Sequence, residues 1–97
     1  MSGIDFLAEL ERIIDDRLAG ADEQSYTVRL ARQGVDRIAQ KIGEEGVEVA
    51  LAAVSKGREP LLDEAADLLY HLLVLLQVRG LSLHDVAEVL EQRHRDQ

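Results

Sequence analysis

The sequence predicts an all-α protein: an antiparallel bundle of four to five helices forming one domain over residues 1–97. Three observations carry this. Leu, Ala, Glu and Arg dominate the composition, while proline occurs once and aromatic residues make up 3%, a balance that favours helix. Apolar residues recur at three- and four-residue spacing along most of the chain, and nowhere do they alternate cleanly at the two-residue period of a strand. The breaks between periodic segments are short, which favours antiparallel neighbours.

The first helix is expected from Met1 to Leu18. Ser2 followed by Asp5 is a capping-box variant, and Ile4, Leu7, Leu10, Ile14 and Leu18 form an apolar stripe that Glu11 shares. A polar loop follows, from Ala19 to Gln24. Ser25 can cap a short second helix, Tyr26 to Gln33, which Gly34 stops. The main helix is expected from Val35 or Asp36 to Ser55, with Lys56 suiting the dipole at its end and Gly57 closing it. Pro60 then sits in the first turn of another long helix, where its missing N–H does no harm, and Gly80 closes that helix after Arg79. Ser82 with Asp85 is a further capping box, opening a last helix that runs to about His94.

Size and charge narrow the function classes. Ninety-seven residues make one small domain that would gain from dimerising. With no cysteine there is no disulfide, thiol nucleophile or thiolate metal site, which fits a cytoplasmic location. No apolar run approaches the ~18 residues of a membrane span, and no basic segment leads into an apolar stretch as in a signal peptide. The formal charge of −8 repels nucleic-acid polymers from most of the surface. It would repel a small anionic substrate too, unless cations bridge the two.

Acidic residues interrupt the two long helices. Glu44-Glu45-x-x-Glu48 is answered by Asp63-Glu64-x-x-Asp67, and the second run starts 19 residues after the first. At about 100° per residue, Ile38, Ile42, Val49 and Ala52 form a core stripe, and Glu45 falls inside it where a Leu would be expected. Lys41, Glu44 and Glu48 flank it. On the next long helix, Leu62, Ala65, Leu69, Leu72 and Leu76 form one apolar stripe. Glu64, Asp67 and His71 form a second, with Asp63 apart, and below His71 this second stripe turns apolar at Val74, Leu75 and Val78. That half of the helix is apolar nearly all round, so one side is expected to meet another subunit.

If the two helices pack antiparallel, Glu45 and Glu48 face Glu64 and Asp67. Burying an unpaired charge costs several kcal/mol. A hard cation is the most economical reason for such a set. All-oxygen ligands favour Mg²⁺, with Mn²⁺ possible, and Mg²⁺ with open positions suggests phosphate chemistry. A di-iron bundle would need two Glu-x-x-His motifs, and the one such spacing, Glu91 to His94, lies near the chain end. Gly43 and Gly46, within the main helix, either let a neighbouring helix approach or open room for a ligand.

The acid signature resembles that of the all-α, MazG-like nucleoside triphosphate pyrophosphohydrolases. The surrounding text, Ser25-Tyr26-Thr27, Ile38-Ala39-Gln40-Lys41-Ile42-Gly43-Glu44-Glu45 and Glu64-Ala65-Ala66-Asp67-Leu68-Leu69-Tyr70-His71-Leu72, is similar to the phosphoribosyl-ATP pyrophosphatases of histidine biosynthesis. Gly46 departs from the Ala expected there and leaves the acids in place. The resemblance implies Mg²⁺-dependent hydrolysis of phosphoribosyl-ATP to phosphoribosyl-AMP and pyrophosphate, by a dimer or higher assembly of helical subunits.

By position, the resemblance makes Glu45, Glu48, Glu64 and Asp67 metal ligands. Glu44 is then a further ligand or the group that orients the attacking water. Lys41 contacts a phosphate or balances the acids. Ser25, Tyr26 and Thr27 read as a helix cap, which the resemblance raises to substrate contacts. His71 reads as a packed histidine or a partner of Asp67, and Arg29, Arg32, Arg58, His84 and His94 as surface. Three rivals remain at this point: a housecleaning pyrophosphohydrolase of deoxynucleotides with the same acids, a helical dimerisation or adaptor module in which the acids are incidental, and an acidic metal-storage or di-iron bundle.

Overall fold

The computed structural model of the chain describes residues 3–20 and 22–95, and among them every regular element is a helix. Helix α1 spans Asp5–Gly20, α2 Tyr26–Arg32, α3 Val35–Ser55, α4 Arg58–Val78 and α5 Leu83–Arg95. The expected all-α class and five-helix order hold.

Helix α1 begins later than its apolar pattern suggests. Gly3 adopts φ +50° and its carbonyl accepts from the Phe6 N–H at 3.1 Å, so Ile4 lies in a turn and is exposed. Ser2, the expected cap, falls outside the described residues. The lower stripe holds: Ile14 is fully buried, and Leu10 and Leu18 pack against the core. Helix α2 is capped as expected, with Ser25 Oγ accepting from the Val28 N–H at 3.4 Å. Gly34 then turns the chain at φ +93°, a conformation L side chains resist.

Only Lys56 and Gly57 join α3 to α4, two helices of 21 residues each. So short a connection makes them antiparallel. Lys56 closes α3 through its N–H to the Ala52 carbonyl, and Gly57 serves as the N-cap of α4 and not as the stop of α3. Helix α4 ends in a Schellman motif: Gly80 at φ +75° donates to Gln77, and Leu81 donates to Leu76. The Ser82–Asp85 capping box is present in both directions, at 2.9 and 3.2 Å. Glu11 adds a tie from α1, its Oε2 accepting from the Leu83 N–H at 2.6 Å. That role explains an acid within the α1 apolar stripe.

The core is small. Ile14, Leu30, Ile38, Leu73 and Val74 meet at its centre, drawn from α1 to α4. Of the two α4 stripes, the mixed one turns inward with His71 and Val74, while Leu62 and Ala65 of the other are exposed. The back of α3 is open too, with Val47, Leu51 and Val54 60, 55 and 82% exposed. No residue of α5 is buried. The radius of gyration is 14.7 Å, where about 12.5 Å is usual for this length. The accessible surface is 6733 Å², against about 5,500 Å² for a compact monomer of this mass.

Ile38 sits on the α3 side facing α4 with no exposed surface. Ile38→Ala is expected to lower unfolding free energy by about 2–5 kcal/mol in urea titration. A change under about 1 kcal/mol would contradict a core centred there.

Candidate metal and substrate site

Antiparallel packing turns two acid runs into two facing rows. One turn forward on α3 meets one turn back on α4. Glu45 therefore lies beside His71 and within electrostatic reach of Asp67, and Glu48 lies against Glu64. The acids thus meet across the helices as pairs, Glu45 near Asp67 and Glu48 against Glu64.

Glu45 is the buried member, 7% exposed, at the core-stripe position its spacing indicated. Burial is the main cause that raises its carboxyl pKa above the ordinary value of 4.5; Asp67 raises it further, while His71 and Lys41 pull it down. His71, itself 6% exposed, brings Nδ1 to 2.7 Å from Glu45 Oε1 and 2.8 Å from the Asp67 carbonyl. Its Nε2 lies 2.7 Å from the Tyr26 hydroxyl. A carbonyl oxygen only accepts, so Nδ1 carries a hydrogen directed at Asp67. Glu45 Oε1 is left in close contact with that nitrogen, shielded from water and without an aligned donor.

Glu64 has the same deficiency from another cause. Its Oε2 is sealed from solvent without a donor, because it confronts the Glu48 carboxyl. That contact is the first reason its pKa is raised above 4.5, with burial, the Glu48 charge and Asp67 adding to it. Lys41 is half-buried one turn before Glu45. Glu44 is exposed and accepts from Gln40 Nε2 at 3.3 Å. A Cβ added at Gly43 or Gly46 would meet nothing within 4 Å, so these glycines border open space and admit no close helix of this chain.

The substrate candidates separate. Tyr26 reaches the acid rows through His71. Ser25 and Tyr26 also line a cleft of about 340 Å³ with Arg17, Asp22 and Gln24. Thr27 is wholly buried and its hydroxyl bonds to that of Tyr70, so it presents no surface to a ligand in this chain. Arg29 and Arg32 are held by the loop at Glu23 and Gln24, and His84 and His94 are exposed. Neither the Tyr26–His71 nor the Thr27–Tyr70 bond was legible beforehand, since each joins residues more than 40 positions apart.

Two buried carboxylate oxygens without donors are the features a divalent cation would satisfy. The donor set fits the hard ion expected from it. Among the described residues, no three acids or histidines close around one point, so the acids stand as two facing pairs.

Comparison with known proteins identifies the family. Residues 7–94 match the family described as phosphoribosyl-ATP pyrophosphohydrolase. The chain belongs to that family. A phosphoribosyl-ATP pyrophosphatase of Pyrobaculum arsenaticum is 56% identical over 89 residues, covering 92% of this chain and 95% of that protein. The histidine biosynthesis bifunctional protein HisIE of Xylella fastidiosa (strain Temecula1) is 58% identical over 90 residues, 93% of this chain but 44% of the relative. The Vibrio cholerae protein of the same name is 51% identical over 90 residues, 93% of this chain and 43% of its own length. The chain thus spans less than half the bifunctional relatives and nearly all of the phosphoribosyl-ATP pyrophosphatase from Pyrobaculum.

The raised carboxyl pKa values of Glu45 and Glu64 set a pH dependence for the metal-free protein. Between 4.5 and the raised folded values, the folded state holds more protons than the unfolded one, so stability falls as pH rises through that window. Thermal unfolding in chelator should show this decline, and Glu45→Gln should flatten it and raise the melting temperature near neutral pH. A metal-free Glu45→Gln protein with an unchanged pH profile would contradict the burial argument.

Proposed function

We propose that the chain hydrolyses phosphoribosyl-ATP to phosphoribosyl-AMP and pyrophosphate, the second step of histidine biosynthesis, with Mg²⁺ as its cofactor and the cytoplasm as its site of action. The observation that carries this is the pair of facing carboxylate rows, with two donorless buried oxygens, in a chain of this family. Water adds across the anhydride bond between the α- and β-phosphates, and pyrophosphate leaves.

Glu45, Glu48, Glu64 and Asp67 would hold the metal. When bound, Mg²⁺ supplies positive charge against the triphosphate and acidifies water. Glu44 is exposed beside the rows and tied only to Gln40, so it is free to take the proton of the attacking water. Lys41 is the cation placed on the same ridge, suited to a phosphate oxygen. Ser25 and Tyr26 line a cleft, and Tyr26 also bonds His71 beside Glu45, so the nucleotide would lie on that side of the rows.

The active form is a homodimer or larger homo-oligomer. Its support is the open apolar back of α3, the half-exposed α4 stripe and the roughly 1,200 Å² of surface beyond a compact monomer's. A standard interface takes about 800 Å² from each partner. No described helix is long and apolar enough to cross a membrane, and the charge of −8 disfavours a nucleic-acid polymer as partner.

Pyrophosphate release from phosphoribosyl-ATP should require Mg²⁺ or Mn²⁺ and exceed release from dCTP, dUTP, dATP and ATP. Glu48→Gln and Asp67→Asn should fold yet lose activity by on the order of a hundredfold or more. Preference for a deoxynucleotide would remove the substrate assignment and keep the chemistry, whereas full activity in both variants would remove the metal ligands.

Leu51→Glu should lower the mass seen by analytical ultracentrifugation. A variant with the wild-type assembly would exclude this face as the contact.

A further inference from the structure

His71 is a buried titratable group that the carboxylates alone do not explain. Its Nδ1–H is directed at the Asp67 carbonyl, a backbone atom of α4, and the same nitrogen lies 2.7 Å from Glu45 Oε1 on α3. With Nδ1 protonated, Nε2 of the neutral ring accepts the Tyr26 O–H at 2.7 Å. Neither nitrogen is left free for a metal. The ring is also clamped edge-on by Tyr26 and Tyr70, at centroid separations of 5.7 and 5.5 Å and interplanar angles of 88° and 89°. Tyr70 is in turn tied to Thr27 on α2. Contacts from three helices restrain the imidazole, and the edge it presents to α3 is the Nδ1 edge, opposite Glu45.

We propose that His71 is a positioning residue for the acid rows, oriented by Tyr26: it braces the Glu45 carboxylate on α3 against the Asp67 backbone on α4. The proposal rests on the metal reading above. Glu45 has a flexible side chain in a buried place, and without this brace it would face the repulsion of Asp67 with the Lys41 charge left to offset it. Partners that orient ligating carboxylates commonly change metal affinity about ten- to a hundredfold when removed. The brace also gives Tyr26 a part that needs no substrate contact.

Calorimetry of Mn²⁺ binding to the metal-free protein, without nucleotide, tests this. His71→Leu should bind Mn²⁺ about ten- to a hundredfold more weakly than wild type, and Tyr26→Phe more weakly by a smaller factor. His71→Asn should recover most of the loss, since its amide N–H can take the place of Nδ1–H. In the hydrolysis assay, the His71→Leu defect should shrink as Mg²⁺ is raised. Thermal unfolding in chelator confirms that each variant is folded. Lower stability with unchanged Mn²⁺ affinity in His71→Leu and Tyr26→Phe would make His71 a packing residue and overturn the proposal while leaving the metal reading intact. Should His71→Leu not fold, wild-type affinity in Tyr26→Phe overturns it by itself. A wild-type protein that takes up no Mn²⁺ overturns both.

Discussion

The two-residue connection at Lys56 and Gly57 is the constraint on which the rest depends. It leaves α3 and α4 no choice but to double back, and it pins their register. With that register, Ile38 and Val74 meet in the core and Glu45 meets His71 one level up. Nearer the turn, Glu48 meets Glu64. Core and acid rows are thus consecutive levels of one hairpin. An insertion in the turn would displace both together, because a shift along one helix rotates its side chains by about 100° per residue. The apolar levels offset the repulsion of the acidic ones, which explains how a carboxylate such as Glu45 can stand 7% exposed in so small a protein.

Much of this was legible in the sequence because helical periodicity is strict. Glu45 stood out as an acid in a core stripe, and it is buried there. The Ser25 cap, the Ser82–Asp85 box and the Gly34 and Gly80 turns follow from local chemistry, and local chemistry is what sequence reading captures. What could not be read was set by distance along the chain. Thr27 read as part of a helix cap that the family resemblance raised to a substrate contact, and only the fold brings Tyr70 over it. Glu11 looked like a flaw in an apolar stripe until α5 arrived with an unpaired N–H, 72 residues on. The early start given to the first helix failed because Gly3 lets the backbone turn at φ +50° before periodicity takes hold.

Charge and hydrophobicity are segregated on the hairpin in a way that suits an assembled protein. The face of α3 towards α4 carries Ile38, Glu45 and Ala52, and the opposite face carries Val47, Leu51 and Val54. A helix apolar on both sides is usual inside a bundle and unusual at a monomer surface. The second apolar face lies on the same helix as the acids. Covering it would stiffen the helix that presents them.

The tether at the start of α5 has a different consequence. The Schellman turn, the capping box and Glu11 all secure its first turn, and beyond that turn the helix buries nothing. Thirteen residues is about the length at which a helix in water becomes marginal without tertiary support. Opening of its distal turns therefore costs little and need not disturb the core. Backbone amides should accordingly exchange with solvent in a gradient, fastest towards the C-terminal end of α5 and slowest at the α3–α4 levels around Ile38 and Val74.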